Sequence, residues 1–541
     1  MKKRQKIEIT GAVFLILLLI AGCVSKPSPL LTELERSHYL GLTSSSEISG
    51  FLSELADRNR AAKKVILGES PLRSPVEALL ISTDMSWFKG GPSPPDKMTV
   101  MLIGSQHGME PSGAEALLLL SREILEEGLR SYLEDMNFII IPNSNPDGRN
   151  SNRRVNGNGV NLSTNFTILS EPESRAIFNA LHKWKPEVVL DVHESAVLKK
   201  KTLARQGFLI VFEAQFEAAN NPNVDSQIRA FSFNRFLPEV IALVNAQGLP
   251  AQRYIGEITN IHQTITHGGL SLRNLRNMAG MKGSFSFLLE NRLDPSTGTY
   301  PTPRNIRERV AKQYLCLSSF LSCCRRYRTE IINISQNARR QWKDRQKEDP
   351  LYLFFAYVPD ENQPQITLPL QKLETAEPTT HTFRYNGVVT GKIPLPLPAS
   401  YIITKPQELI KEFLDRHHII YETAEQAAVV PAQKIAGQKT AMTGPYRDPL
   451  DYSSKDHLEE YTLHPGDLII SLNQPARRLI PLFLEYQSLG CIFNFPEYSK
   501  PAMEGTDFFI YRVPKFGLSP KELVDEKDSG GQGFQNTSDT K

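Results

Sequence analysis

The stretch from Lys97 to Phe166 constrains the fold more than any other part of the chain. An apolar run, Met98 to Ile103, gives way to Gly104-Ser105-Gln106 and then to His107-Gly108-Met109-Glu110. A helical pattern starts at once, with Pro111 suited to the first turn and Ala114, Leu117, Leu118 and Leu120 marking the buried side. A second apolar run, Phe138 to Ile141, opens into Asn143-Ser144-Asn145-Pro146-Asp147-Gly148 and a string of Arg and Asn. Strand, polar loop, helix, strand, polar loop is the order of an open α/β sheet. Such sheets bind ligands beyond the carboxyl ends of their strands, where these two loops fall.

Two later runs repeat the device. Glu187 to Val192 follows the helix-like Ser174–Trp184 and ends at His193, and Ser284 to Leu289 ends at Glu290. A His and a Glu three residues apart on a turn can point at one metal ion. Hydrolytic zinc sites use three protein ligands and keep one position open for water. His193 is the candidate third ligand, and Glu290 the candidate general base. Taken alone, His107 and Glu110 could be a helix N-terminus carrying a favourable acid; the convergence of three strand ends is what argues for a site. The other His-x-x-Glu, His457 to Glu460, has no strand before it and reads as solvated surface. Asp191 is either an acid on the opposite strand face or a partner that orients His193. His262 and His267 read as polar loop residues.

His-x-x-Glu, a downstream His, Asn-Pro-Asp-Gly and a late strand Glu, in that order, resemble the zinc carboxypeptidase (funnelin, carboxypeptidase A-like) family over roughly Glu33 to Cys324. The resemblance implies one Zn²⁺ per chain held by His107, Glu110 and His193, with Glu290 as general base and then general acid. It places the oxyanion-stabilising Arg on Arg154, with Arg153 as the neighbouring alternative. It also implies an α/β fold, a mixed, mostly parallel open sheet with helices on both faces, and hydrolysis of peptide-like amides. The chain departs from the family at Ser163-Thr164, which stand where an Asn-Arg pair grips the substrate's terminal carboxylate. Neither can form a charged bidentate bond. Met109 stands where an Arg is common, and the usual Tyr has no counterpart in Thr264–Gly269. Arg149, Arg273 and Arg276 could replace some charge or be surface cations.

At 541 residues the chain exceeds one ordinary core. The expected organisation is a catalytic domain over 33–345, a smaller C-terminal α+β domain over 346–515, and a polar, Gly-rich, disordered tail over 516–541. The C-terminal part weakly resembles the extension of some bacterial family members. Helices are expected over 34–62, 224–246, 304–346 and 475–486, and a hairpin over 64–82. The segment 259–281 is expected to line the cleft. His417 and His418 read as cations in the last turn of a helix.

The N-terminus carries an address. Basic Met1–Lys6 precedes the apolar Gly11–Ala21, which is too short to span a bilayer. Ile20-Ala21-Gly22-Cys23 resembles a bacterial lipobox, implying a signal peptide over 1–22 and a lipidated Cys23 that anchors a tether over 23–32 to the membrane. Val24, rather than Asp, leans towards the periplasmic face of the outer membrane if the source is Gram-negative. The alternative is an ordinary secretory signal with an incidental Cys. Cys316, Cys323, Cys324 and Cys491 are expected to be buried free thiols.

A net charge of +3, with no basic block interleaved with aromatics, argues against nucleic acid as a partner. No Gly-x-Ser-x-Gly elbow appears, which removes a serine hydrolase of that type. The expected function is zinc-dependent cleavage of peptide-like amides at the cell envelope. The alternatives are a cell-wall peptide amidase or deacylase on the same fold, and a non-catalytic zinc-binding envelope protein.

Overall fold

All seven residues of Met98–Gly104 are buried, a pattern that only a sheet covered on both faces accommodates. The structure, a computed structural model, describes residues 29–91, 93–293, 305–341, 351–404, 408–435, 458–498 and 509–515. The strands of the first half are β1 (Ala62–Glu69), β2 (Pro75–Ile81), β3 (Met98–Gly104), β4 (Met136–Ile141), β5 (Val188–Ser195), β6 (Phe208–Ile210), β7 (Ala214–Ala218), β8 (Ala251–Arg253) and β9 (Phe285–Arg292). All but β6 form one sheet in the order β1-β2-β4-β3-β5-β9-β7-β8. Its centre is parallel, from β4 through β3 and β5 to β9; the pairs β1–β2, β2–β4 and β9–β7 are antiparallel, and β7 and β8 are parallel. The mixed, mostly parallel sheet expected from the sequence is therefore present.

Successive strand side chains alternate between faces. Met101, Ile103, Ile139, Ile141 and Val189 join a core with helices Pro172–Trp184 and Leu275–Met281. The alternate residues meet helix Ser112–Glu126, which packs against Ile306–Arg326. Burying both faces accounts for the continuous apolar runs in β3 and β4.

The later chain adds β10 (Leu351–Val358), β11 (Gln365–Lys372), β12 (Pro378–Arg384), β13 (Val388–Leu395) and β14 (Ser400–Ile403). β11 pairs with both β12 and β6, so the extension adds strands to a segment of the first half. A six-stranded antiparallel sheet is built around β14. Its Tyr401, Ile403 and Leu468 belong to the same apolar cluster as Val76, Met101 and Phe178.

Several local expectations change. The helix expected over 34–62 divides into Glu33–Arg36 and Ser45–Arg58, the second opened by a Ser44–Glu47 capping box. The 304–346 stretch forms two helices, Ile306–Arg326 and Arg328–Arg340, separated at Tyr327. The 475–486 helix is shorter, Leu479–Leu484. His417 is no surface cation: it lies buried just past helix Glu408–Arg416, and its Nε2 donates to the Thr167 carbonyl at 2.8 Å. Burial pushes it down to about 3, so it is neutral at ordinary pH. All four of Cys316, Cys323, Cys324 and Cys491 are free and buried. No described helix is long and apolar enough to cross a membrane. Cys23, His457 and the 516–541 tail lie outside the described residues.

His417 makes a testable pH signature. Its ordinary value is 6.5, so between 6.5 and about 3 the unfolded chain takes a proton that the folded chain refuses. The unfolded state then binds more protons, and stability is lost as pH falls through that window. Compared with His417→Gln, the wild type should lose up to about 1.4 kcal/mol per pH unit below 6.5, and nothing above it. Denaturant titrations from pH 8 to pH 4 measure the difference; a gap independent of pH would contradict the assignment.

Candidate metal centre and active site

The parallel strands β3, β5 and β9 end on the same rim of the sheet. In the β5–β9 register, His193 lies directly beside Glu290, and Gln215 of β7 lies on the other side of Glu290. Adjacent strands are about 4.8 Å apart, so side chains at matched positions face the same space. The third contribution comes from the turn after β3. Gly104 allows the chain to pass close to Pro142, where a Cβ would sit 2.8 Å from the carbonyl oxygen. Ser105 takes a left-handed conformation (φ +54), and the turn then presents His107 and Glu110.

The donor atoms of His107, Glu110 and His193 all lie within 4.8 Å of one another, and all three residues are buried. His107 Nδ1 is 2.8 Å from Glu110 Oε1, and His193 Nδ1 is 3.0 Å from Glu110 Oε2. The two Nδ1 atoms are 3.2 Å apart. Each ring is held by its other nitrogen. His193 Nε2 faces Asp191 Oδ1 at 3.0 Å, and Gln106 donates to the same oxygen at 2.7 Å. His107 Nε2 faces Asn161 Oδ1 at 3.0 Å and Ser163 Oγ at 2.9 Å. Acceptors at Nε2 fix the tautomer that leaves Nδ1 with its lone pair turned inward. Asp191 therefore orients His193; it is not an acid on the far face of the strand.

Two inward lone pairs and a carboxylate need a cation among them. Burial opposes charge on His193, but the Asp191 and Glu110 carboxylates overcome it and hold the imidazole well above its usual range. For Glu110 burial opposes ionisation as well, yet both histidines hold it below the ordinary carboxylate range. Two imidazole nitrogens and one carboxylate are also the N₂O donor set that a hydrolytic metal takes, so these residues fit a divalent cation.

Glu290 faces the same cavity and makes a contrast. Burial lifts its carboxyl to about 7; His193 and Arg154 pull it down, and Glu110 and Asp191 push it up. Its Oε2 is buried with no hydrogen-bond partner among the described residues. Arg154 reaches the cavity with Nη1 3.2 Å from Glu110 Oε1 and its side chain half exposed. Arg153 is exposed, and its carbonyl accepts from the Met109 N–H. The cavity measures about 390 Å³ and is walled by apolar groups including Met109, Val197, Leu203, Phe208 and Ile258.

Behind the metal group, Glu194 receives both Arg309 nitrogens (2.8 and 2.9 Å) and the Ser112 N–H, while Gln313 donates to the His193 carbonyl. Asp147 of the Asn-Pro-Asp-Gly turn accepts from Ser70 Oγ and the Leu72 N–H, pinning that turn to the β1–β2 hairpin. Arg149 and Arg276 are neither surface cations nor cavity residues. Arg149 is buried against Glu115 and the Thr43 carbonyl, and Arg276 bonds Asn220 and the Gly269 carbonyl. Arg273 stacks over Phe495.

The segment 259–281 contributes little to the cavity, whose wall comes instead from Tyr254 and Gly256–Ile258. His267 lies behind it, bonded to the Tyr254 carbonyl and the Tyr385 hydroxyl. Tyr254 was not singled out from sequence. Its phenol lies in the cavity and is pushed well above its usual range by burial, with the Glu290 charge adding to the effect. Gly268 packs on that ring, and a Cβ there would sit 3.0 Å from it. The Gly-Gly pair was the available signal. Asn161 and Ser163, the partners of His107, lacked one because polar loop residues are common.

Gly108 provides a test of how the turns interlock. A Cβ there would lie 1.9 Å from the Gly148 carbonyl carbon and 2.2 Å from the Arg149 nitrogen. Gly108→Ala should cost at least ~1–3 kcal/mol as backbone is forced aside, and should displace His107. Unfolding curves together with metal content of the purified variant would show both losses; wild-type values for both would refute the crossing.

The family model described as zinc carboxypeptidase matches residues 48–313. Carboxypeptidase 2 of Trichophyton rubrum is 28% identical over 200 residues, covering 36% of this chain and 37% of that protein. Carboxypeptidase SOL1 of Arabidopsis thaliana is 31% identical over 111 residues, 18% of this chain and 23% of its own. The chain thus spans little more than a third of the first relative's length. Among solved structures, a metallo-carboxypeptidase from Burkholderia cenocepacia aligns at 19% identity and a TM-score of 0.40, covering 53% of this chain and 71% of that one. The matched segment contains His107, Glu110, His193 and Glu290 in the order in which the strand ends bring them together, and residues 48–313 of this chain match the zinc carboxypeptidase family.

Proposed function

We propose that the chain is a zinc-dependent hydrolase of peptide-like amides, with His107, Glu110 and His193 as metal ligands and Glu290 as general base and acid. The observation that carries this reading is the pair of inward Nδ1 atoms, 3.2 Å apart with both Nε2 atoms tied back, beside the Glu290 carboxyl, whose buried Oε2 has no hydrogen-bond partner among the described residues. Zinc bound there supplies a Lewis acid and lowers the pKa of a water towards ~7.

Glu290, lifted to about 7, is matched to moving protons near neutral pH. It removes a proton from the attacking water and returns one to the departing amine nitrogen. Arg154 lies where it can donate to the carbonyl oxygen as negative charge develops, and one such donor contributes roughly 3–4 kcal/mol. The apolar walls exclude water and strengthen both effects.

A purely binding role for the zinc site would leave unexplained a Glu290 whose buried Oε2 has no hydrogen-bond partner among the described residues. Within the enzyme class, a second observation points away from strict carboxypeptidase action. Ser163 Oγ is engaged by His107 Nε2 and Asn161, and Thr164 Oγ1 by the Asn161 carbonyl. Neither supplies the cation that would read a substrate's free carboxylate. Of the cations lining the cavity, Arg154 is at the metal group and Lys199 is paired with Glu257 at 2.6 Å. We place the substrate among amides whose C-terminal side need not end in a carboxylate, cell-wall peptides included. The envelope address rests on the lipobox-like Ile20–Cys23 and the lipidation it implies for Cys23.

Glu290→Gln should lower turnover by roughly 10²–10⁴-fold while zinc content stays at wild-type level. Comparable activity in that variant would exclude Glu290 as the base. Matched peptides with a free or an amidated C-terminus should be cleaved at similar kcat/KM. A strong preference for the free acid, seen in the same assay, would restore a conventional carboxypeptidase specificity.

A further inference from the structure

At the opposite rim of the sheet, the amino ends of β5 and β9 border a recess of about 760 Å³. Lys185 precedes β5 and Lys282 precedes β9, while the far wall comes from His417–Ile420 and Pro475–Leu479 of the later chain. The recess gathers positive charge: Lys185, Lys282, Arg339, Arg340, Arg477 and Arg478 line it, against Asp415 as the sole carboxylate among the described lining residues.

The arginines have structural duties. Arg339 pairs with Glu187 at 3.3 Å and donates to the carbonyls of Lys185 and Pro186. Arg478 donates to the Asn223 carbonyl, and Arg340 to Gln336. Lys282 is different. Its ammonium stands 4.6 Å above the Phe178 ring and makes no hydrogen bond or ion pair to any described residue. Burial, together with Arg339 and Lys185, lowers it to about 8. The same concentration of charge acts on His182, whose ring stacks 3.9 Å from that of His418. Burial and then Lys282 bring His182 down to about 4. A fold that collects like charges around an open recess, and leaves one ammonium with three unused donors, is matched to an oxyanion.

We propose that this recess binds a small molecule bearing a phosphate or pyrophosphate group, with the Lys282 ammonium as its principal contact. A volume of this size holds a metabolite rather than a polymer. The site is separate from the hydrolytic centre. β5 and β9 are eight residues each, about 25 Å long, and run from the recess to His193 and Glu290.

The test is calorimetric titration of the full-length, zinc-loaded protein with inorganic pyrophosphate, alongside thermal unfolding. Wild type should bind saturably and unfold at higher temperature with pyrophosphate present. Lys282→Met keeps the stem over Phe178 and should weaken binding roughly tenfold to a hundredfold, with amide hydrolysis unchanged. Lys185→Gln, at an exposed position, should weaken binding by a smaller factor and serves if the first variant does not fold. Absence of saturable binding to wild type would overturn the proposal, as would undiminished affinity in the folded variants.

Discussion

Everything at the carboxyl-end rim of the sheet depends on placing a cation between two imidazole nitrogens and a carboxylate that the fold has buried together. Turned inward at 3.2 Å, the Nδ1 lone pairs of His107 and His193 repel one another, and Glu110 adds a full negative charge within 3.0 Å of each. Without a metal the compensation is a proton on His193, held there by two carboxylates. In the proposed metal-bound state all three groups act as ligands. The surrounding contacts are arranged for the second state: Asp191, Asn161 and Ser163 occupy the far nitrogens and aim the near ones.

The sheet provides this alignment because parallel strands deliver their carboxyl ends to one edge. Register alone sets His193 beside Glu290. The turn after β3 needs more help, and receives it from glycines: Gly104 passes under Pro142, and Gly108 crosses the backbone of Gly148. The Asn-Pro-Asp-Gly turn is thus a support for the metal turn as well as a motif. Asn145 caps its short helix and donates to the Gln106 carbonyl, and Gln106 in turn holds Asp191. One chain of hydrogen bonds connects the second polar loop to the orientation of His193.

Much of this was legible in the amino-acid sequence. Apolar runs ending in His, Glu, His and Glu named the strands and the residues they carry, because buried parallel strands leave long hydrophobic signatures and polar residues at their ends stand out. What could not be read were contacts between distant segments. The pairing of β6 with β11, the shared core of the two halves, and the burial of Arg149, Arg276 and His417 all depend on tertiary packing that periodicity does not encode. His417 is the clearest case: helix-end position suggested a cation, whereas desolvation against Phe178, Phe413 and Phe483 outweighs any helix-end attraction. Tyr254 was missed for a related reason, since only its packing against Gly268 distinguishes it from other loop tyrosines.

His107, Glu110 and His193 are proposed to hold one metal ion between them. Elemental analysis of the full-length protein and of His193→Ala, both dialysed against a weak chelator, addresses it most directly. Close to one zinc per chain is expected in the wild type and a small fraction of that in the variant, with folding retained by circular dichroism. Equal zinc in the two proteins, or none in either, would contradict it.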